Sequence, residues 1–534
     1  MKEVAILQLI NYEISANNNN SNFNIILNQE IRNNARSKIM NKNEKQKKLT
    51  LITLILMIFT SVFGFANMPR SFYLMGYGAI PWFILGGITF FIPFAFMMAE
   101  YGSAFKEEKG GIYSWMEKSE GSKFAFIGVF MWYASYVVWM INICSTIWIP
   151  LSNTIFGVDT TSKWGIFGLS STQVLGILGV IWVCTTFLIS KRGITKITKI
   201  TSVGGMAVAL LNILLIIGAV IVLILNKGQF KEPITSAMSF VNSPNPSYHS
   251  LISMLSFLVF ALFAYGGIGA ASGLVDETEN PEKTFPKGIL IAAAVISIGY
   301  SLGIFLIGIF TNWAGNLSGE NINMANVAYV VMNNLGYTFG NSIGLSDVIS
   351  IQIGNWVARF VGLSMFLAIT GAFFTLSYAP LKQLIEGTPA KLWPGKMASI
   401  DKNDMPINAM AVQTTIVAVM VLFISMGGKS AKAFFEMLVL MTNVAMTLPY
   451  LFLTISYISF RKKDSIEKPF LVVKNKTFAI IMGFVVTAVV GFANLFTIIE
   501  PAINGNYTST IAMVAGPLIF IIAAAIIYAN GKKK

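Results

Sequence analysis

Residues 257–289 read FLVFALFAYGGIGAASGLVDETENPEKTFPKGI. The stretch begins as an apolar helix. It then places four glycines, Gly266, Gly267, Gly269 and Gly273, within the nine residues from Tyr265. It leaves through an acidic loop marked by Pro281 and Pro286. A glycine in a helix interior costs about 1 kcal/mol relative to alanine. Such a cluster at the expected mid-depth of a membrane span therefore marks backbone that is unwound or closely approached. Inside a bilayer, non-helical backbone persists only where protein or a water-lined cavity satisfies its polar groups. The stretch reads as a membrane helix broken at a small-molecule site.

The rest of the chain agrees with a membrane setting. Of 534 residues, 55% are hydrophobic and 12% charged, and the mean hydropathy is +0.67. Soluble domains carry about 25% charged residues. Cys144 and Cys184 both lie in apolar runs and read as small packing residues. No disulfide framework and no Cys/His cluster with ligand spacing is present in the sequence, so neither a metal nor a cofactor is expected. The single histidine, His249, excludes most histidine-dependent membrane enzymes and reads as an interfacial residue. No G-x-x-x-x-G-K-[ST] motif provides a nucleotide-driven motor.

A spanning helix needs about 20 apolar residues. Twelve spans are expected: 49–67 continuing past a break to 78, 79–101, 123–151, 172–190, 200–226, 250–274, 287–313, 352–381, 407–426, 433–460, 477–499 and 508–529. With both termini cytoplasmic, 31 of the 38 Lys and Arg fall in the inner tails and loops and six on the outer side, with Arg359 near the outer end of the eighth span. That bias follows the positive-inside rule. It accounts for the net charge of +14 without nucleic acid. Residues 1–48, rich in Asn and Lys, read as a disordered cytoplasmic tail; the chain opens either at Met1 or at Met40, which would make 1–39 an upstream extension. Residues 530–534 form a short basic tail on the same side.

The first span has its own interruption. Phe59-Thr60-Ser61-Val62-Phe63-Gly64-Phe65-Ala66-Asn67-Met68-Pro69 sets Thr, Ser, Gly, Asn and Pro into a solid apolar run. Paired breaks in spans one and six, five apart, point to a five-plus-five inverted repeat with its site at the midplane. The repeats would be 49–226 and 250–460, with spans eleven and twelve (477–529) outside them. The fold class is all-α integral membrane.

Three motifs carry a resemblance. Glu100 is followed by Gly110-Gly111-Ile112-Tyr113-Ser114-Trp115. The exit of the sixth span reads Glu277-Thr278-Glu279-Asn280-Pro281 with Pro286 beyond it. Ala379, Leu392-Trp393-Pro394 and Met405-Pro406 follow the eighth span. In this order and spacing the chain resembles the amino acid–polyamine–organocation superfamily, and within it the glutamate/γ-aminobutyrate antiporter branch. The resemblance implies a twelve-helix amino acid transporter with alternating access. It also shows a departure: where relatives in that branch commonly carry an acid, eight residues before Glu277, this chain has Gly269.

The chemistry of the breaks assigns a candidate site. Helix N-terminal N–H groups and the positive dipole end suit a substrate carboxylate; Thr60, Ser61, Phe63, Gly64 and Phe65 are placed there. Carbonyls released by the sixth span at Phe263, Ala264, Tyr265, Gly266 and Gly267 suit an ammonium group. Phe263 and Tyr265 are expected as an aromatic wall or gate. Trp139, Asn142 and Asn443 are candidate side-chain readers. Glu100 and Glu277, with Asp276, Glu279 and Glu282, are expected to pair with Lys106, Lys109, Lys283 or Lys191 as an inner gate. Arg359 and Glu436 are expected to pair as an outer gate. The expected partners are an amino acid or amine substrate, the lipid bilayer and protons. The function expected is secondary transport, by exchange or proton coupling. A sensor or channel on the same scaffold is the alternative, and a membrane enzyme is disfavoured for want of an intramembrane acid/base pair.

Overall fold

The computed structural model describes residues 48–533 apart from 109, 321, 430–432, 434–436, 438 and 440–443. The account concerns the compact unit Leu49–Lys534; the tail expected over 1–48 lies outside the described residues save Lys48. Named elements are all helical, and ten of the described helical stretches are long and apolar enough to cross a membrane by length and composition. In a bilayer only intra-segment hydrogen bonding satisfies every amide, so helices are what these apolar runs must form.

The first of those stretches runs from Leu51 to Ala104, about 80 Å at 1.5 Å per residue and too long for one crossing. It is divided internally. Helix α1 (Leu51–Val62) ends at the first break, α2 (Asn67–Met75) resumes beyond it, and the short 3-10 turn Gly76–Gly78 leads into α3 (Ala79–Gly86). A π-helical stretch, Gly87–Phe91, joins α3 to α4 (Ile92–Ala104). Next come α5 (Ile112–Glu120), α6 (Ser122–Thr146), α7 (Trp148–Phe156), α8 (Ser171–Ser190) and α9 (Ile194–Leu225). Helix α8 opens on a capping box, in which Ser170 and Gln173 exchange side-chain and backbone hydrogen bonds.

The fifth of those stretches, at the sixth expected span, is α10 (Leu251–Ala264), a turn at Tyr265–Gly267 and the 3-10 helix Ile268–Leu274. Helix α11 (Pro281–Phe310) starts on the Pro281 of the exit motif, where the missing N–H is one the helix end would leave unpaired in any case. The segment expected as a loop over 314–351 instead contains a helix, α13 (Val327–Ser342), after the short α12 (Trp313–Asn316). The apolar positions of α13 were masked in the sequence by its asparagines. Helix α14 (Asp347–Gly387) is 41 residues long, extending six residues past the expected 381. Then follow α15 (Ile407–Met426), α16 (Leu448–Lys462), α17 (Lys476–Ile503) and α18 (Tyr507–Lys533).

Burial separates the elements. Much of the buried core comes from α1–α4 with the π-helical stretch, α6, α11 and the broken stretch 251–274, with Phe72, Phe83, Phe91, Phe94 and Tyr265 fully enclosed. By contrast α8, α9, α15, α17 and α18 keep long apolar faces exposed, among them Ile181, Leu210, Ile224, Val419, Leu495 and Ile522. Such faces are solvated by lipid tails rather than water.

The glycine-rich motif after α4 has a packing explanation. Gly111 sits at φ +50, and a Cβ there would meet the Gln383 side chain at 2.7 Å. The loop is thereby seated directly on the end of α14. Trp115 stacks on Tyr101, with ring centroids 5.2 Å apart, and fixes α5 to the end of α4.

Candidate functional site

The two breaks meet. Gly267 adopts φ +104, and a Cβ on it would lie 2.4 Å from the Ser61 carbonyl oxygen. Only glycine permits both that dihedral and that approach. Around this contact tyrosine hydroxyls take up backbone N–H groups that the breaks release. Gly64 N–H reaches the Tyr300 hydroxyl at 3.0 Å and Gly267 N–H reaches the Tyr450 hydroxyl at 2.8 Å. The N–H groups of Phe65 and Ala66, ahead of α2, have no acceptor among the described residues and belong to segments that line a cavity. They are the unpaired donors that every helix start presents.

Tyr300, on α11, is the residue that joins the breaks. Its hydroxyl donates to the Ala264 carbonyl at 3.0 Å, lies 3.3 Å from the Val62 carbonyl, and accepts from Gly64 N–H and from Asn67 Nδ2, the latter at 3.3 Å. One fully buried hydroxyl thus holds the end of α1, the start of α2 and the end of α10 in register. A lone tyrosine in the apolar run 289–310 carries no sequence signal of this role.

Two lobes of open space flank the contact and share Ser61, Trp139, Phe263, Gly266 and Ala372. One, about 520 Å³, extends along α2, α6 and α14 past Asn142 and Arg70 to Ala325 and Tyr329. Its far lining belongs to the segment between α11 and α14. The other, about 580 Å³, extends between α10, α16 and α17 to Glu500.

Thr60, Ser61, Phe63, Gly64, Phe65, Phe263, Ala264, Gly266, Trp139 and Asn142 line the first lobe, and Gly267 the second. The Thr60 hydroxyl is turned back on its own helix, donating to Leu56 at 2.5 Å, and Ser61 donates to Met57 at 2.8 Å. Phe63 stacks on both Phe59 and Tyr300, at 4.6 Å each. Tyr265 departs from expectation. It is fully buried, stacked on Phe91 at 4.6 Å, and its hydroxyl donates to the Phe83 carbonyl at 3.0 Å. At the end of α10 the ring is packed against α3 and the π-helical stretch, so Phe263 alone of the pair lines the cavity. Asn443 lies outside the described residues.

The ion pairs also differ from those expected. Lys382, 2% exposed and inside α14, pairs with Asp276 at 2.9 Å and Glu277 at 3.0 Å. It was read as a loop residue because the apolar run ends before it. The neighbouring Gln383 accepts from Ser272 at 2.8 Å and from Ile112 N–H at 3.1 Å, so α14, α5 and the 3-10 helix converge on one layer. Leu49, before α1, donates to the Glu277 carbonyl at 2.8 Å and accepts from Glu279 N–H at 3.0 Å. Both broken stretches are therefore tied together at this end.

Glu100 does not pair with Lys106, Lys283 or Lys191. It is fully buried, bonded by Arg461 at 2.6 Å, by Tyr457 at 2.8 Å, and by the N–H groups of Val472 and Val473 at 3.0 and 3.1 Å. Every lone pair of this carboxylate has a partner, which is the condition for keeping a buried charge. It fastens α4 to the loop after α16. In that exposed loop Lys476 donates to Asp464 and holds its carboxyl below the usual range, while burial pushes the Lys468 ammonium down. Of the expected pairs Lys106–Glu282 forms, at 2.9 Å and half exposed; Lys109 is not among the described residues.

Arg359 donates to the Ile155 carbonyl and lies over the Trp356 ring at 5.5 Å. Its expected partner Glu436 lies outside the described residues. His249 Nε2 lies 3.0 Å from the Ser243 carbonyl in the preceding loop. Thr370 and Ser377 bond the carbonyls of Phe366 and Phe374 on their own helix, the usual habit of such hydroxyls in membrane helices.

Comparison with known proteins places this geometry. Residues 49–524 match the family described as amino acid permease. The chain is 53% identical over 485 residues, 91% of its length and 96% of the relative's, to the inner membrane transporter YjeM of Salmonella typhimurium. It is 24% identical over 441 residues (82% and 85%) to the aspartate/glutamate permease AcaP of Lactococcus lactis subsp. cremoris. It is 22% identical over 488 residues (88% and 89%) to a glutamate/γ-aminobutyrate antiporter of Lactococcus lactis subsp. lactis. A multi-pass helical bundle, broken twice around one cavity and matched over nearly its whole length, belongs to the amino acid permease family.

Proposed function

We propose that this protein is a secondary transporter of amino acids or closely related amines in the cytoplasmic (inner) membrane, working by alternating access as an exchanger or with protons. Twelve spans with both termini inside carry the activity. Spans within 49–226 and 250–460 form the inverted repeats, and spans within 477–529 lie beside them. The observation that carries this reading is the meeting of the two breaks. Unpaired N–H groups at Phe65 and Ala66 stand at one rim of the cavity, and the carbonyl end of α10 at the other. An α-amino acid bears a carboxylate and an ammonium on the same carbon. It supplies the anion for the first and the cation for the second.

The gating residues support an order of events. On this reading the lobe lined by α2, α6 and α14 leads to the outer side, and Lys382 on Asp276 and Glu277 holds the inner end. Substrate enters from outside, bridges the breaks, and stabilises a rearrangement in which the outer lobe closes and the Lys382 clamp parts. Differential affinity for the two states is what drives such a shift. Glu100 with Arg461 is the fixed framework against which this movement occurs.

Purified protein in liposomes tests the proposal. Preloading with unlabelled amino acids and adding labelled ones outside is expected to give counterflow that Gly64→Leu abolishes. Binding of an amino acid without flux would assign the protein to a sensor on the same scaffold. Flux unaffected by Gly64→Leu would place the site elsewhere.

A further inference from the structure

The second lobe of the cavity has a use that the meeting of the breaks does not absorb. It leaves the Ser61–Gly267 contact, passes between α10 and α16, and ends against α17, a helix outside the proposed repeats. At its end stands Glu500, the one residue with a full charge among the described residues lining this lobe. Ser256 on α10 donates a hydrogen bond to its carboxylate. The walls between are apolar and aromatic, with Phe260, Phe263 and Tyr450 facing the space. Ionisable side chains within membrane helices are retained where they serve a ligand, an ion or a proton. A carboxylate whose described partner is a single hydroxyl keeps acceptor capacity for a cation.

Resting on the transporter reading above, we propose that Glu500 and Ser256 form a distal subsite for a second cationic group, an ammonium or guanidinium, on the substrate. Ser256 and Phe263 lie seven residues apart on α10, roughly 10 Å along the helix. A ligand that fills both ends is therefore long, with one ammonium at the breaks and its second cation at Glu500. Dibasic amino acids and extended oligoamines have this form. The aromatic faces along the lobe suit a cation in transit. A side-chain carboxylate, such as those borne by the substrates for which the aspartate/glutamate permease relative is named, meets a like charge in the same place.

Glu500→Gln keeps the shape and removes the charge. Binding of arginine, spermidine and leucine to purified wild-type and Glu500→Gln protein is to be measured by thermal shift and calorimetry. The loss expected for arginine and spermidine is about ten- to hundred-fold in affinity, the worth of one charged hydrogen bond. Leucine affinity stays unchanged, which also shows that the variant is folded. Ser256→Ala, retaining the charge, is expected to weaken the cations by a smaller factor. Equal affinity of wild type and Glu500→Gln for arginine and spermidine overturns the subsite. Failure of both cations to bind wild type overturns it as well: if leucine binds, the transporter reading survives alone, and if no amino acid or amine binds, both fall together.

Discussion

Tyr300→Phe is the most informative change at the breaks, because it deletes one oxygen and leaves the ring that stacks on Phe63. That oxygen has two contacts at 3.0 Å, one from Gly64 N–H and one to the Ala264 carbonyl, and two longer ones. A net hydrogen bond contributes about 1 kcal/mol, and more when its loss strands a buried group. The lower figure is taken for each short contact. The two short contacts together give about 2 kcal/mol. If that energy holds the breaks in their paired geometry, its loss lowers the fraction of protein ready to bind, and apparent affinity falls by that fraction. About 2 kcal/mol corresponds to roughly thirty-fold. The assay is amino acid binding to the detergent-purified variant, paired with its unfolding midpoint without ligand. The expected result is an affinity loss of that order in soundly folded protein. Wild-type affinity in Tyr300→Phe would refute the role of the hydroxyl as the link between α1, α2 and α10.

Four further changes probe other parts of the account. Gly267→Ala places a Cβ 2.4 Å from the Ser61 carbonyl at a φ of +104; strain of about 1–3 kcal/mol should lower the thermal midpoint and stop uptake, and normal uptake would show that the breaks need not touch. Lys382→Met removes the cation that Asp276 and Glu277 share and should destabilise by about 3 kcal/mol, the lower end for a broken buried pair given their partial exposure. Adding Asp276→Asn and Glu277→Gln should restore the midpoint while leaving the inner end without its charge clamp, read as faster exchange in liposomes. Glu100→Gln should cost several times more in thermal stability than Lys106→Ala, since the Arg461 pair is buried and the Lys106 pair is at the surface, where such pairs contribute about 0–1 kcal/mol; equal midpoints would contradict the burial argument.

The parts of this molecule that backbone chemistry dictates were legible in its residues. Two glycine-marked interruptions five spans apart located the cavity, and most helix ends from α8 onward fall within a few residues of the apolar runs. What was not legible depends on tertiary distance. Lys382 looked like a loop residue because hydropathy falls at 382, yet packing against Ser272 and Ile112 carries α14 on to Gly387. Tyr300 sits in a featureless apolar run. Tyr265 follows a run that suggests a cavity wall, but its ring packs on Phe91 and its hydroxyl on the Phe83 carbonyl, away from the cavity. Glu100 was marked as functional by its position, while its true partner lies 361 residues on at Arg461. Asparagine-rich spacing in 327–342 concealed a helix whose apolar face packs on α14.

The central claim is that the two breaks read both ends of an amino acid's shared backbone. The direct measurement is calorimetric binding of the most stabilising amino acid from a panel of twenty, beside its α-carboxamide and its α-deamino analogue, to the purified protein. Loss of either charge removes a charge-assisted contact and should weaken binding by about ten- to hundred-fold, with the carboxamide loss largely absent in a protein already carrying Gly64→Leu. Binding of either analogue as tightly as the parent amino acid would contradict the account.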